Sequence, residues 1–178
     1  MALWFLGETG WAVYTLLLGV EIPYPSIADV FWLSGYVPFF IALCLYVKTF
    51  ASVLSRRTLG ISMTTILVSS VLVSATLITP ILGAEEDLIT ALVDFAYPLL
   101  DLVLFSVAVL GLAVFLKGKL GKSWLLINIG ILSNVGADML FSYTTAQETY
   151  YSGHFLELLF HLGYLLFLLA FYVHTKEL

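Results

Sequence analysis

The sequence is poor in charged residues, and poorest in bases. Only 11% of its 178 residues are charged, and 7 Lys and Arg stand against 12 Asp and Glu. A soluble domain carries about a quarter charged residues, so this chain cannot cover a globule with a water-facing surface. The shortage of bases and the absence of a basic patch also exclude a nucleic-acid-binding protein.

Cysteine is nearly absent too. Cys44 is the one cysteine and lies in an apolar run, so the sequence holds neither a disulfide framework nor a cysteine-based metal site. It also contains no glycine-rich phosphate-binding loop and no nucleophile elbow. These gaps remove the commonest sequence signatures of a soluble enzyme.

Apolar residues are what the sequence has in abundance: 61% of it is hydrophobic, and the mean hydropathy is +1.05. A membrane-spanning helix needs about 20 mostly apolar residues. The sequence therefore predicts an all-α, polytopic membrane protein with a single transmembrane domain over residues 1–178. The six predicted helices are 2–20, 28–48, 58–82, 87–116, 123–145 and 153–174.

The loop charges predict the orientation of these helices. Bases gather on one side, after the second, fourth and sixth helices, and the opposite loops carry acids alone, so the positive-inside rule places both termini in the cytoplasm and the protein in the cell membrane. The bases are Lys48, Arg56, Arg57, Lys117, Lys119, Lys122 and Lys176. The acids of the opposite loops are Glu21, Glu85, Glu86, Asp87 and Glu148.

The three returning helices share a motif. It reads D-x-x-W-x-x-G-Y at 29–36, D-x-A-Y at 94–97 and E-x-x-F-x-x-G-Y at 157–164. Three pseudo-repeated helical hairpins explain this recurrence better than chance similarity among apolar helices.

Several ionisable and polar residues lie inside the predicted spans, where a charge costs about 2.5–3.5 kcal/mol. They should therefore face the bundle interior, most of them in its outer half, with Asp101 nearer the middle. No base is available there, so the acids must protonate, form hydrogen bonds or take up a cation. The predicted ligand-binding residues are Asp29, Trp32, Tyr36, Asp94, Tyr97, Asp101, Asn134, Asp138, Glu157, His161 and Tyr164.

Simpler roles are open for some of them. Asp29 and Glu157 lie in the first turn of their helices, where an acid caps free N–H groups and suits the helix dipole. Tyrosine and tryptophan near a membrane edge are ordinary belt residues.

Two further chemistries are left open. His154, Glu157 and His161 share one predicted helical stripe, and Asp94 or Asp138 could complete the ligand set of a divalent metal such as zinc, iron or manganese. All three histidines lie on the predicted sixth helix, so two of them cannot bind one haem from opposite sides within a monomer. A haem would therefore need a dimer or a single histidine ligand. Glu8, expected toward the inner side without a partner, and Asp101 could instead belong to a proton path.

Four short segments resemble a known family. They are P-Y-P-S-I-A-D-V-F-W-L-S-G-Y at 23–36, A-Y-P-L-L-D at 96–101, A-D-M-L-F at 137–141 and L-G-Y at 162–164. They resemble the multi-helix membrane sensor regions that precede diguanylate cyclase and histidine kinase modules in bacteria and archaea. The resemblance implies an input domain that passes a change inward. No output module follows in this sequence, so it implies a stand-alone member or a fragment.

The predicted acidic pocket, the helical repeat and the family resemblance together predict a non-enzymatic membrane protein. Its predicted role is sensory or ligand-binding, and it would signal through a cytoplasmic partner. A cation or proton pathway is the first alternative, and a metal- or haem-containing redox protein or enzyme is the second. The ligand and any cofactor are unknown from the sequence, and a homo-oligomer is left open.

Overall fold

Helices make up nearly all of the computed structural model, which describes residues 1–50, 52, 54–78, 87–115, 118, 120–146 and 149–177 and shows no strand among them. Among the described residues, five helices are long and apolar enough to cross a membrane, and Ala2–Leu18 is shorter. The prediction of an all-helical, multi-pass membrane protein is thereby confirmed. The helices are α1 (Ala2–Ala12, continued by the wider π-helical turns of Val13–Leu18), α2 (Ile27–Phe50), α3 (Arg56–Val73, continued by Ser74–Ile78), α4 (Leu88–Phe115), α5 (Gly121–Ala146) and α6 (Glu157–Glu177).

The start of α6 corrects the sequence prediction, which placed it at residue 153. Gly153 has a φ of 90°, a left-handed conformation that interrupts a helix. The backbone N–H of Glu157 then donates to the His154 carbonyl at 3.0 Å, and the Leu158 N–H donates to Phe155 at 3.1 Å. Such tight turns precede the regular helix, so His154 does not lie on α6.

Side-chain caps explain where α2 and α4 begin. The Asp29 carboxylate accepts from the Ser26 N–H at 2.7 Å, as in a capping box. The Ser26 hydroxyl oxygen accepts from the Ala28 N–H at 3.2 Å, an N-cap bond to the second helical residue. Before α4, Asp87 accepts from the Thr90 hydroxyl and from two backbone N–H groups. These bonds, the Thr90 hydroxyl first, hold the pKa of Asp87 below its ordinary value.

Helices that follow one another in the chain run antiparallel, whereas α2 and α4, which pack side by side, run parallel. Gly7 lies near Trp32 and Gly10 near Ala28, so α1 and α2 run in opposite directions. Packed pairs continue from α2 to α4, α4 to α5 and α5 to α6, whereas α3 packs mainly on α4. Trp4 on α1 stacks against Phe167 of α6 at 5.6 Å between ring centroids, which joins the first helix to the last. Buried aromatic and aliphatic side chains fill the space between these five helices.

The alternation creates two ends. At the acidic end α2, α4 and α6 begin, and at the basic end α2, α4 and α6 finish. The described bases are at the basic end: Lys48, Arg56, Arg57, Lys122 and Lys176. The remaining loop charges named from the sequence lie outside the described residues: Glu85, Glu86, Lys117, Lys119 and Glu148.

Aromatic packing closes the basic end. Trp124 stacks on Phe115 at 5.1 Å between centroids, and Tyr46 packs against both rings. Gly111 makes room for this stack, because a Cβ at that position would overlap the Trp124 ring. The Tyr46 hydroxyl and the His174 Nε2 are joined by a hydrogen bond of 3.0 Å.

Candidate functional site

A cavity of about 840 Å³ lies at the acidic end, lined by residues of α1, α2, α4, α5 and α6 and by Thr76 at the end of α3. Ten of the eleven predicted ligand-binding residues line it, and Asp101, only 2% exposed, lies outside that lining. Helical spacing and common depth thus located one shared site, while the binding role of these residues stays a prediction. The ten are Asp29, Trp32, Tyr36, Asp94, Tyr97, Asn134, Asp138, Glu157, His161 and Tyr164.

Asp29 combines a structural and a tertiary role. Besides capping α2, its other carboxylate oxygen accepts from the Tyr97 hydroxyl of α4 at 2.7 Å. Nearer the loop, the Tyr24 hydroxyl donates to Asp94. The prediction that Asp29 caps its helix is therefore confirmed. The same carboxylate also links α2 to α4 by a hydrogen bond.

A carboxyl pair lies deeper. Tyr36 donates to Asp101 Oδ1 at 2.7 Å, and the carboxyl of Asp138 on α5 lies close to that of Asp101. Asp101 Oδ2 receives no N–H or O–H donor from the described part of the chain. Two carboxylates in contact repel each other, so this pair needs a shared proton or a bound cation.

Glu8 is the main correction at the site. The sequence predicted it toward the inner side without a partner, but it lines the cavity. It accepts from the Trp32 indole N–H at 3.2 Å and from the Tyr164 hydroxyl. Depth along α1 was misjudged because Trp4, near the start of α1, already lies level with Tyr36 of α2.

Glu157 anchors the loop before α6. Its carboxylate accepts from the Tyr150 hydroxyl and from the Gly153 N–H, both at 2.9 Å. Burial, and then the neighbouring Glu157, raise the pKa of Tyr150, so its hydroxyl keeps its proton and remains a donor. One turn along, His161 Nδ1 and the Glu157 carbonyl are 2.8 Å apart.

The three residues predicted to bind a metal ion do not lie together on one helical face. His154 precedes α6 and is absent from the cavity lining, whereas Glu157 and His161 line it. Over the described ranges, no three His, Cys, Asp or Glu side chains are grouped as a metal ion would require. The metal hypothesis keeps two of its three residues at the cavity, and it stays a prediction.

Residues of α1 form part of the cavity wall, which the sequence did not predict. Trp4, Glu8 and Trp11 all line the cavity, and their spacing of four and three residues is that of one helical face. This periodicity was available in the sequence. Tyr24 and Tyr150, which come from the loops, had no comparable signal.

Apolar side chains fill the bundle beyond Asp101. Leu104, Phe105 and Ala108 follow it on α4 and are buried. The buried Asn128 amide gives its N–H groups to the Ala108 and Trp124 carbonyls at 3.0 and 2.9 Å. The polar groups of the cavity are therefore followed by an apolar core, not by a further row of acids, in the part of the chain that the structure describes.

Comparison with known proteins gives no relative from which a role can be transferred. No family model matches the chain, and neither a curated protein nor a solved structure matches it.

Proposed function

We propose that this multi-pass membrane protein is a sensor that binds a small molecule in the cavity at its acidic end. The observation that carries the proposal is the cavity itself, to which all six described helices bring polar side chains. Its volume of about 840 Å³ lies within the usual range of small-molecule sites. Ionisable residues at membrane depth are costly and favour a functional role.

The acidic end faces outward in this proposal, with both termini in the cytoplasm. The bases at the opposite end support it through the positive-inside rule. The three repeated tyrosines support the threefold hairpin repeat, since each bonds a carboxylate of another helix. The pairs are Tyr36 with Asp101, Tyr97 with Asp29, and Tyr164 with Glu8.

Signalling would use the same bonds. A ligand that takes over Asp29 or Glu8 releases Tyr97 or Tyr164 and so loosens α4 or α6 from its neighbour. Small helix shifts of this kind are a common way to transmit a binding event. A cytoplasmic partner at the basic end would receive the shift, as the resemblance to sensor regions implies.

The proposal is tested by filling the cavity. Met139 lines the cavity, while Leu140, its neighbour on α5, is 40% exposed on the bundle surface. We expect mass spectrometry to find a small molecule co-purifying with the wild type and with Leu140→Trp, but not with Met139→Trp. Thermal unfolding in the presence of a metabolite library extends the search to weakly held ligands.

The proposal fails if no compound co-purifies with or stabilises the wild type. It also fails if Met139→Trp retains the same compound at the same occupancy as Leu140→Trp. The proton-path alternative has lost its inner member, because Glu8 lies at the cavity.

A further inference from the structure

We infer that the ligand is a small organic cation that carries N–H donors, such as a protonated primary amine. This inference rests on the proposed binding function and adds the chemical class of the ligand. Four observations point to it: the use of the cavity's donors, an unpaired buried acceptor, the sign of the charge, and the aromatic lining.

Six aromatic donors around the cavity already serve acids. The Trp32 N–H donates to Glu8 at 3.2 Å, and the Tyr97 hydroxyl donates to Asp29 at 2.7 Å. The same holds for Tyr24 with Asp94, Tyr36 with Asp101, Tyr150 with Glu157, and Tyr164 with Glu8. Because an ionised carboxylate accepts about four hydrogen bonds and donates none, the lining retains acceptor capacity that these donors leave unfilled.

Asn134 adds a buried acceptor with no partner. This residue is 7% exposed, lines the cavity, and its Oδ1 has no hydrogen-bond partner within the described chain. Gly163 of α6 admits the Asn134 side chain, since a Cβ there would overlap Oδ1. A buried polar atom of this kind is expected to have a partner. Because Oδ1 faces Gly163 and is closed off from the cavity space, a ligand N–H reaches it once the Asn134 amide turns toward the cavity. Asp138, one turn along the same helix face, would receive the positive charge.

The charge of the lining has one sign. Its six acids are Glu8, Glu21, Asp29, Asp94, Asp138 and Glu157, and no Lys or Arg joins them among the residues that the structure describes. An anionic ligand would meet repulsion from these acids and would find no Lys or Arg partner in the described lining. A cation would be attracted and would neutralise part of the acidic charge.

The aromatic lining favours an organic cation over a metal ion. Trp4, Trp32, Tyr36, Tyr97 and Tyr164 present ring surface to the cavity, and aromatic rings bind ammonium groups and apolar bodies alike. A metal ion would instead need three clustered ligand side chains, and none are grouped in that way over residues 1–50, 52, 54–78, 87–115, 118, 120–146 and 149–177.

The experiment uses one scaffold with four head groups. Phenethylamine, phenethyl alcohol, hydrocinnamate and phenethyltrimethylammonium are titrated into the detergent-solubilised wild type at neutral pH, with calorimetry and thermal unfolding as readouts. Phenethylamine should bind saturably. The alcohol, the carboxylate and the donor-free ammonium should each bind about tenfold or more weakly, as expected when a hydrogen bond to a charged group is lost.

Variants test the two named residues. Asn134→Ala and Asp138→Asn should each weaken phenethylamine binding by about tenfold, while Leu140→Ala, on the bundle surface, should leave it unchanged. The head-group series on the wild type stands even if a variant fails to fold.

Three results would overturn the inference while leaving the proposed sensor intact. They are equal or tighter binding of the alcohol or carboxylate, equal binding of the donor-free ammonium, and a co-purifying molecule that is neutral or anionic. Failure of phenethylamine, tryptamine and butylamine to bind would overturn it as well. If, in addition, no co-purifying or library compound binds the wild type, the proposed sensor function is contradicted as well as the ligand class.

Discussion

The two ends of the bundle use similar residues to opposite effect. At the basic end Tyr46, Phe115 and Trp124 pack against one another, with Gly111 giving Trp124 its place. At the acidic end, tyrosine hydroxyls bond to carboxylates of neighbouring helices, and a cavity of about 840 Å³ remains. Aromatic residues close a bundle where glycine lets them stack, and they line a cavity where hydrogen bonds to acids fix each ring in place.

The largest expected effect tests close packing at the basic end. Gly111→Ala should destabilise the protein by about 1–3 kcal/mol, because the new Cβ overlaps the Trp124 ring and overpacking costs that much. Gly136→Ala, on α5 near the cavity, is the matched control, since nothing lies within 4 Å of its Cβ position. It should be neutral or stabilising by up to about 1 kcal/mol. Thermal and SDS unfolding of the two variants measure the difference, and equal losses would contradict the contrast between the ends.

The next effect compares one hydroxyl from each end. Tyr36→Phe leaves the buried Asp101 carboxyl without its donor and should cost about 1–3 kcal/mol, as for an unsatisfied buried group. Tyr46→Phe removes the bond to His174 at a half-buried position and should cost about 0.5–1.5 kcal/mol. Unfolding in SDS titrations ranks the two. A larger loss for Tyr46→Phe would show that the basic end depends on polar bonds more than the acidic end does.

The smallest effect separates an exposed loop acid from the acids of the cavity. Hydrogen bonds, first from Thr90, lower the pKa of Asp87 in the folded protein. Its stabilising contribution is therefore complete above the unfolded value of about 3.9 and is lost as pH falls through the lower folded pKa. Asp87→Asn should lower the thermal midpoint slightly at neutral pH, and the difference from wild type should shrink in acid. A difference that grows in acid would contradict this assignment.

Local sequence predicted most of the fold, because each helix is marked by a long apolar run. The start of α6 was the exception: the apolar pattern runs on through 153–156, whereas the left-handed Gly153 and the tight turns after it delay the helix until Glu157. Helical spacing likewise gathered Asp94, Tyr97 and Asp138 into one predicted site. Helical spacing did not predict the position of Glu8. The depth of Glu8 in the bundle depends on how α1 packs against α2, which the order of residues along α1 does not specify.

The sequence by itself determined that the chain is a helical membrane protein and that its acids are concentrated where no base can pair with them. Hydropathy and charge decide both, since the bilayer penalises each exposed charge and each free backbone group. Only the tertiary structure decided which hydroxyl serves which carboxylate, that Glu8 joins the cavity, and that Asn134 Oδ1 has no partner among the described residues. These are distances between side chains of different helices, which packing fixes and which spacing along one helix cannot specify.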